Sequence, residues 1–295
     1  MPRTEKKMKK ILLILISLFL ITACAHLPPA GKITYKESLY QYFVVAEGGS
    51  QGSINNLGEI VYITRTGMIS TTRGRLKDTS YDKRFPRIND SGEVVYCGPA
   101  KPTGEGPWTV YSTARGRIAS GFTPSINNLG EIVYIVEQAD RLTIKSTTRS
   151  TLMNIKHRPA GYHLDINNKG EVVYKADNQI FSTTRGLITT VAGSPPSDIT
   201  INNLGDIIYS SIKGVFYMDG TNLTAKLSKI STLSRFGGPV DVNDYGDFVF
   251  SLWFSGSNKS YLLLATQRPE YYENKYNSWK KFPDNKIPSG LLSTY

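Results

Sequence analysis

A nine-residue phrase recurs six times along this chain, and its spacing limits the fold more than any other feature. The copies begin at Ile54, Ile88, Ile126, Ile166, Ile201 and Val242. Each reads aliphatic, Asn, Asn or Asp, any residue, Gly, Glu or Asp, two apolar residues, then Tyr or Phe. Successive copies start 34, 38, 40, 35 and 41 residues apart. A second phrase keeps phase with the first: Ser70-Thr-Thr-Arg-Gly74, Ser112-Thr-Ala-Arg-Gly116, Ser146-Thr-Thr-Arg-Ser150 and Ser182-Thr-Thr-Arg-Gly186. Self-similarity at this period marks a fold made of stacked or radially arranged units, none of which buries its apolar surface alone.

Within a unit the signals are those of four short strands. In the fifth unit they fall at residues 198–202, 206–210, 215–218 and 223–227, separated by Asn203-Leu204-Gly205, Lys213-Gly214 and Asp219-Gly220, all of them turn chemistry. The second strand is apolar at consecutive positions, as in Ile60-Val61-Tyr62. That is the pattern of a strand covered on both faces. Four-stranded units of about 40 residues stacked face to face are propeller blades, so the fold class is all-β, a six-bladed β-propeller. A solenoid of the same period needs polar end caps, and neither end supplies one. The sixth unit instead stops after three strands, while residues 39–48 form a strand signal with no unit of its own. The N-terminal strand is therefore predicted to complete the last blade and close the ring, which removes an exposed sheet edge.

The repeated phrase resembles the HAF-type extracellular repeat of bacterial secreted proteins. It also has the phase of the Ser-Pro-Asp-Gly hairpin in Tol-system β-propellers. The resemblance covers residues 39–267 and implies a propeller without fixing an activity, because such rings carry binding proteins and enzymes alike.

The N-terminus is an address. Lys6, Lys7, Lys9 and Lys10 precede an apolar run from Ile11 to Ile21, about half the ~20 residues that span a bilayer and typical of a signal peptide. Ile21-Thr22-Ala23-Cys24 resembles the lipobox of bacterial lipoproteins, which implies acylation of Cys24 and a membrane partner reached through the lipid. Ala25 stands where an Asp would, by the same analogy, favour inner-membrane retention, so the outer membrane is the expected location. The predicted order is a signal peptide at 1–23, anchor and spacer at 24–34, propeller at 35–267 and an aromatic, basic tail at 268–295. The whole chain carries +11. Residues 1–23 hold five Lys/Arg and one acid, leaving +7 without a basic run, which argues against nucleic acid.

Chemistry-bearing motifs are few. Asp165-x-Asn167 and Asp241-x-Asn243 ahead of a glycine suggest calcium loops, but the ligand position before each glycine holds Leu57, Ser91, Leu129, Lys169, Leu204 or Tyr245. Most of these give a hard cation no oxygen, so neither metal nor cofactor is expected. Cys97 reads as a small buried hydrophobe, and His157 and His163 as residues of one surface connection. No catalytic residue is assigned. The polar residues before each phrase, Ser53, Arg87, Ser125, Asp165, Thr200 and Asp241, are placed on the innermost strands, lining a water-filled channel. Repeat arithmetic sets Glu59 opposite Arg73, Glu93 opposite Arg115, Glu131 opposite Arg149 and Glu171 opposite Arg185 across hairpin ladders, as structural pairs and not as an anion site. The expectation is a binding or scaffold module for an envelope protein or glycan; the alternative is a hydrolase acting on glycans or lactones at the propeller face.

Overall fold

The computed structural model describes residues 32–76, 84–101, 106–138, 141–155, 163–228, 233–236, 238–254 and 259–281. Cys24 and His157 lie outside them. Six antiparallel sheets follow one another along the chain, and the architecture is an all-β six-bladed propeller. Blade 1 comprises Ser50–Ile54, Ile60–Thr64, Gly67–Ser70 and Gly74–Arg75. Blade 2 comprises Arg84–Ile88, Val94–Pro99, Trp108–Ser112 and Gly116–Ser120. Phe122–Ile126, Ile132–Gln138, Arg141–Ser146 and Ser150–Ile155 make blade 3, and Leu164–Ile166, Val172–Ala176, Gln179–Ser182 and Gly186–Thr190 make blade 4.

The consecutive apolar pairs of the second strands explain how blades stack. Val61 packs with Ile88 and Val94 of the next blade, whereas its neighbour Ile60 packs with Val249, Leu262 and Leu264 of the last. Val133 and Val173 likewise face Val172 and Ile207 of the blades that follow. One member of each pair faces each neighbouring blade, and all are fully buried. Burying such a side chain is worth about 1.5–3 kcal/mol.

Blade 5 departs from prediction. It has three strands, Asp198–Ile201, Ile207–Ser211 and Gly214–Tyr217. The expected fourth at 223–227 is a turn leading into the short helix Ala225–Ser228. Asn222 Oδ1 accepts from Thr224 N at 2.8 Å, and Leu227 N donates to Thr224 O at 3.0 Å. A side-chain bond of this kind offers the backbone an alternative to the ladder. Leu223 and Leu227 are both fully buried, a four-residue apolar spacing that suits a helical turn better than alternation.

Blade 6 closes the ring as its sequence implies. Leu233–Phe236 and Asp241–Val242 both pair with Phe248–Phe254, which pairs with Ser260–Thr266. Gln41–Glu47 from the N-terminus then adds to Ser260–Thr266, from Gln41 opposite Thr266 to Glu47 opposite Tyr261. Outside it lies a further strand, Lys280–Lys281, opposite Phe43 and Val44. Residues 268–281 of the predicted tail thus pack on the ring, with the helix Pro269–Lys275 burying Tyr272 completely.

One asymmetry breaks the repeat. The innermost strands of blades 1, 2 and 3 each slip register by one residue against their second strands, between Ser50 and Ser53, Arg84 and Arg87, and Phe122 and Ser125. The slips coincide with left-handed backbone at Gln51 (φ 53°), Phe85 (φ 56°) and Thr123 (φ 44°). Blades 4 and 5 pair without a slip.

Candidate functional site

The face carrying the Asn-x-x-Gly turns is a closed lattice. The first Asn of every phrase donates its Nδ2 to the backbone carbonyl of its counterpart one blade on. The series runs Asn55, Asn89, Asn127, Asn167, Asn202 and Asn243, then back to Asn55, at 3.1–3.4 Å. The Oδ1 of each accepts from the backbone N four residues later, such as Glu59 N at 2.9 Å. A second circle lies beside it. The backbone N of Asn56, Asp90, Asn128, Asn168, Asn203 and Asp244 each donates to the Oδ1 of the next member, at 2.6–2.8 Å. The glycine that follows takes the positive φ, for example 71° at Gly58, so the asparagines are selected for their hydrogen bonds and not for backbone freedom.

On the same face the four Glu–Arg pairs form, with Nε to Oε1 at 2.7 Å for Glu59–Arg73, Glu93–Arg115 and Glu131–Arg149, and 2.6 Å for Glu171–Arg185. They do not form across a ladder. Val61 pairs with Ser70 and Val173 with Ser182, which puts each arginine one residue off the position opposite its glutamate, in the turn after the third strand. The turn is held by its serine: Ser182 Oγ donates to Glu171 and accepts from Arg185 N at 3.1 Å. Burial raises the Glu171 carboxyl, but Ser182 and Arg185 outweigh it and hold the group below its ordinary value. Arg115, Arg149 and Arg185 also reach the next blade's turn, donating Nη2 to the carbonyls of Gly130, Gly170 and Gly205 at 2.9, 2.8 and 3.1 Å. The guanidinium groups therefore staple successive blades and do not converge on one anion. Where the arginine is missing, tyrosines serve: Asp206 accepts from Tyr217 OH at 3.1 Å and Tyr35 OH at 3.2 Å. Asp247 accepts from Tyr272 OH at 2.8 Å and from Arg268.

The six predicted channel residues come together, but they fill the axis. Arg87 of blade 2 crosses to Asp198 of the opposite blade, Nη2 to Oδ2 at 3.1 Å. Ser53 donates to Asp241, Ser125 donates to Asp165, and all six side chains are buried. The water-filled channel expected from the sequence is replaced by this network, because an arginine is long enough to span a six-bladed axis. What remains open beside it is a cavity of about 60 Å³ under the asparagine circles. Thr200 Oγ1 lies 2.8 Å from Asp165 Oδ2 and 2.9 Å from Asp241 Oδ1. One hydroxyl hydrogen cannot serve two carboxylates, and an ionised carboxylate has none to give, so this triad calls for one additional proton. Burial, then the Asp241 carboxylate, pushes Asp165 up to about 6. Asp241 is likewise raised by burial. Asp198 goes the other way: burial raises it, but His163 and Arg87 prevail and hold it well below the usual carboxylate range.

The opposite face holds a larger opening. A cavity of about 340 Å³ lies between Arg84, Phe85, Cys97, Trp108, Phe122, Thr123, Glu137 and His163. The register slips of blades 2 and 3 aim its walls: Phe85 and Thr123 are the left-handed residues, and bulges of this kind re-aim side chains beside functional sites. His163 is not the surface residue its connection suggested. Its Nδ1 lies 2.8 Å from Asp198 Oδ1 with the side chain 14% exposed, and its ring meets Phe85 edge to face at 5.2 Å. The Arg84 guanidinium lies over Trp108, 5.2 Å from the ring centre. Sequence reading missed this site. The available signal was a repeat column that varies: Gln51, Phe85, Thr123, His163 and Asp198 each stand two residues before a predicted channel residue.

A six-bladed ring with an aromatic-walled cavity at the inner ends of blades 2–4 is the class of protein these observations define. No protein-family model matches the chain, and no curated protein is detectably similar to it. Among solved structures it is similar to a gluconolactonase from Xanthomonas campestris (10% identity, 79% of this chain and 91% of that one, TM-score 0.49). It is also similar to the virginiamycin B lyase of Staphylococcus aureus (11%, 85% and 90%, TM-score 0.44) and to a Bacteroides caccae protein of unknown function (11%, 62% and 92%, TM-score 0.41). These likenesses are of fold.

Proposed function

We propose that this chain is an exported, lipid-anchored β-propeller of the bacterial envelope that acts as a binding module, and that the cavity between blades 2, 3 and 4 is where it binds. The carrying observation is the contrast between the two faces. One is covered by two hydrogen-bonded circles over a filled axis that leave about 60 Å³; the other keeps a cavity of about 340 Å³ with aromatic walls and a few polar groups, the usual make-up of a ligand site. Anchoring rests on the lipobox-like run ending at Cys24, and outer-membrane residence on Ala25. Likeness of the repeated phrase to HAF-type repeats is consistent with an exported protein.

Hydrogen exchange on membranes carrying the full chain tests the site: envelope glycan fragments should protect residues 84–88 and 122–126 and leave blade 5 unchanged. Equal protection in every blade, or none, counts against the cavity. Cys24→Ser should abolish labelling by palmitate; labelling retained by the variant rules the anchor out. One observation favours the hydrolase alternative, the His163–Asp198 pair, since a buried carboxylate on Nδ1 is how an imidazole base is oriented. Turnover of chromogenic glycosides or lactones that His163→Gln abolishes would decide for it.

A further inference from the structure

Two residues that line the cavity of blades 2–4, His163 and Thr123, each carry a polar atom with no partner among the described residues, and together they describe what it takes. Asp198 accepts on Oδ1 from His163 at 2.8 Å and from Ile199 N at 2.8 Å, and on Oδ2 from Arg87 at 3.1 Å and Val240 N at 2.9 Å. An ionised carboxylate only accepts, so the proton between it and His163 sits on Nδ1. The other nitrogen, Nε2, accepts in a neutral ring and donates in a charged one, and among the described residues nothing bonds to it. Thr123 is 5% exposed, and its Oγ1 has no partner among the described residues. A buried hydroxyl without a hydrogen bond is costly, and a β-branched residue at φ 44° adds strain.

We infer that the cavity binds a neutral polyhydroxylated ligand, a carbohydrate, one of whose hydroxyls bonds to His163 Nε2 while another bonds to Thr123 Oγ1. This rests on the binding-module reading above. Vicinal hydroxyls both donate and accept, which suits a ring nitrogen beside a hydroxyl. The C–H faces of a sugar ring carry slight positive charge and fit the negative faces of Phe85, Trp108 and Phe122. An anion gains little, because the lining carries one group of each sign, Arg84 and Glu137. A cation fits poorly because the Arg84 guanidinium already lies over Trp108.

The test is calorimetric titration of the full chain in detergent with lactose, cellobiose and chitobiose, and separately with glucuronate, inorganic phosphate and indole. Thr123→Val is the informative variant. It keeps shape and β-branching, removes only the hydroxyl, and should leave the unfolding midpoint unchanged or raised. At least one disaccharide is expected to bind, with a fivefold to tenfold loss in Thr123→Val, about the worth of one hydrogen bond. Disaccharide binding that Thr123→Val leaves untouched overturns the inference, because the sugar then sits elsewhere. Preference for glucuronate, weakened in the variant, overturns the neutral ligand, and preference for phosphate or indole, weakened in the variant, overturns the carbohydrate class; either leaves the cavity as a binding site. No heat with any probe overturns both.

Discussion

At the scale of single residues, the axis of the ring is a titrating centre. The folded chain holds the Asp165 proton more tightly than the unfolded chain does, up to about 6 against 3.8. That contribution to stability is therefore complete below about pH 4 and is lost as pH rises through the folded value. The shift is worth up to about 3 kcal/mol. Asp198, held low by His163 and Arg87, has the opposite sign, supplying stability above about pH 4 that disappears on acidification. Asp165→Asn keeps an acceptor for Ile201 N and Thr200 and removes the proton. It is expected to flatten the decline in stability between pH 4 and pH 6, and to be the more stable chain at pH 8. Urea unfolding at pH 4.5, 6 and 8 measures this; parallel profiles for the two chains would show that the triad carries no such proton. At the turn serines the coupling is smaller. A double-mutant cycle on Glu171 and Arg185 should give about 0.5 kcal/mol, since the arginine is 36% exposed and solvent screens the pair.

At the scale of elements, each Asn-x-x-Gly turn has two duties, closing its own hairpin and holding the next blade, and one substitution separates them. Asn127→Asp retains the Oδ1 that accepts from Leu129 N and Glu131 N at 3.1 and 3.0 Å. It replaces the Nδ2 donor to Asn167 O with an oxygen facing an oxygen, at a site 3% exposed. A loss of about 3 kcal/mol is expected, read as a lower urea midpoint with the hairpin's amide protection retained. A variant as stable as the parent would mean that the circle contributes nothing between blades. The same turns show what was legible in the sequence. Whatever every blade needs is written six times and the Glu–Arg pair four times, so strand order, doubly covered second strands and the Glu–Arg partners all follow from aligning the copies. What depends on one copy was not legible. The Asn222 bond that diverts residues 223–227 into a helical turn is local to blade 5. Phe85, Thr123 and His163 meet only because blades 2, 3 and 4 differ at one repeat position. The ladder position predicted for the arginines failed by a single residue, because the Ser-Thr-x-Arg run is itself a turn closed by the serine hydroxyl.

At the scale of the molecule, the seam between blades 6 and 1 bears the cost of making a ring from an open chain, and three devices cross it. The asparagine circles close there, through Asn243 to Asn55 and Asp244 to Asn56. Residues 41–47 supply the outer strand of blade 6, burying Tyr42 and Phe43 to 1% exposure. The C-terminal helix spans to blade 1: Tyr271 OH and Tyr276 OH donate to the carbonyls of Leu57 and Gly58 at 2.8 and 2.9 Å. Arg268 meanwhile pairs with Asp247 and lies 3.8 Å from the Tyr245 ring centre. In the first four blades an arginine reaches toward the next turn; at this seam the tyrosines take its place. Removing either terminal element therefore loosens the same joint. A chain starting at Gly49 loses four buried aromatics, Tyr35, Tyr40, Tyr42 and Phe43, and leaves a ladder edge unpaired, which costs more than about 5 kcal/mol. A chain ending at Gln267 loses Tyr272 and its bond to Asp247, a smaller effect of about 3–5 kcal/mol. Because both act on one seam, the double truncation should deviate from additivity by more than 0.5 kcal/mol, and its amide exchange should rise first in blades 1 and 6. Each chain can be scored by urea unfolding alongside exchange. Additive losses, or a truncation from Gly49 that unfolds like the intact chain, would mean that the ring is held by the asparagine circles alone.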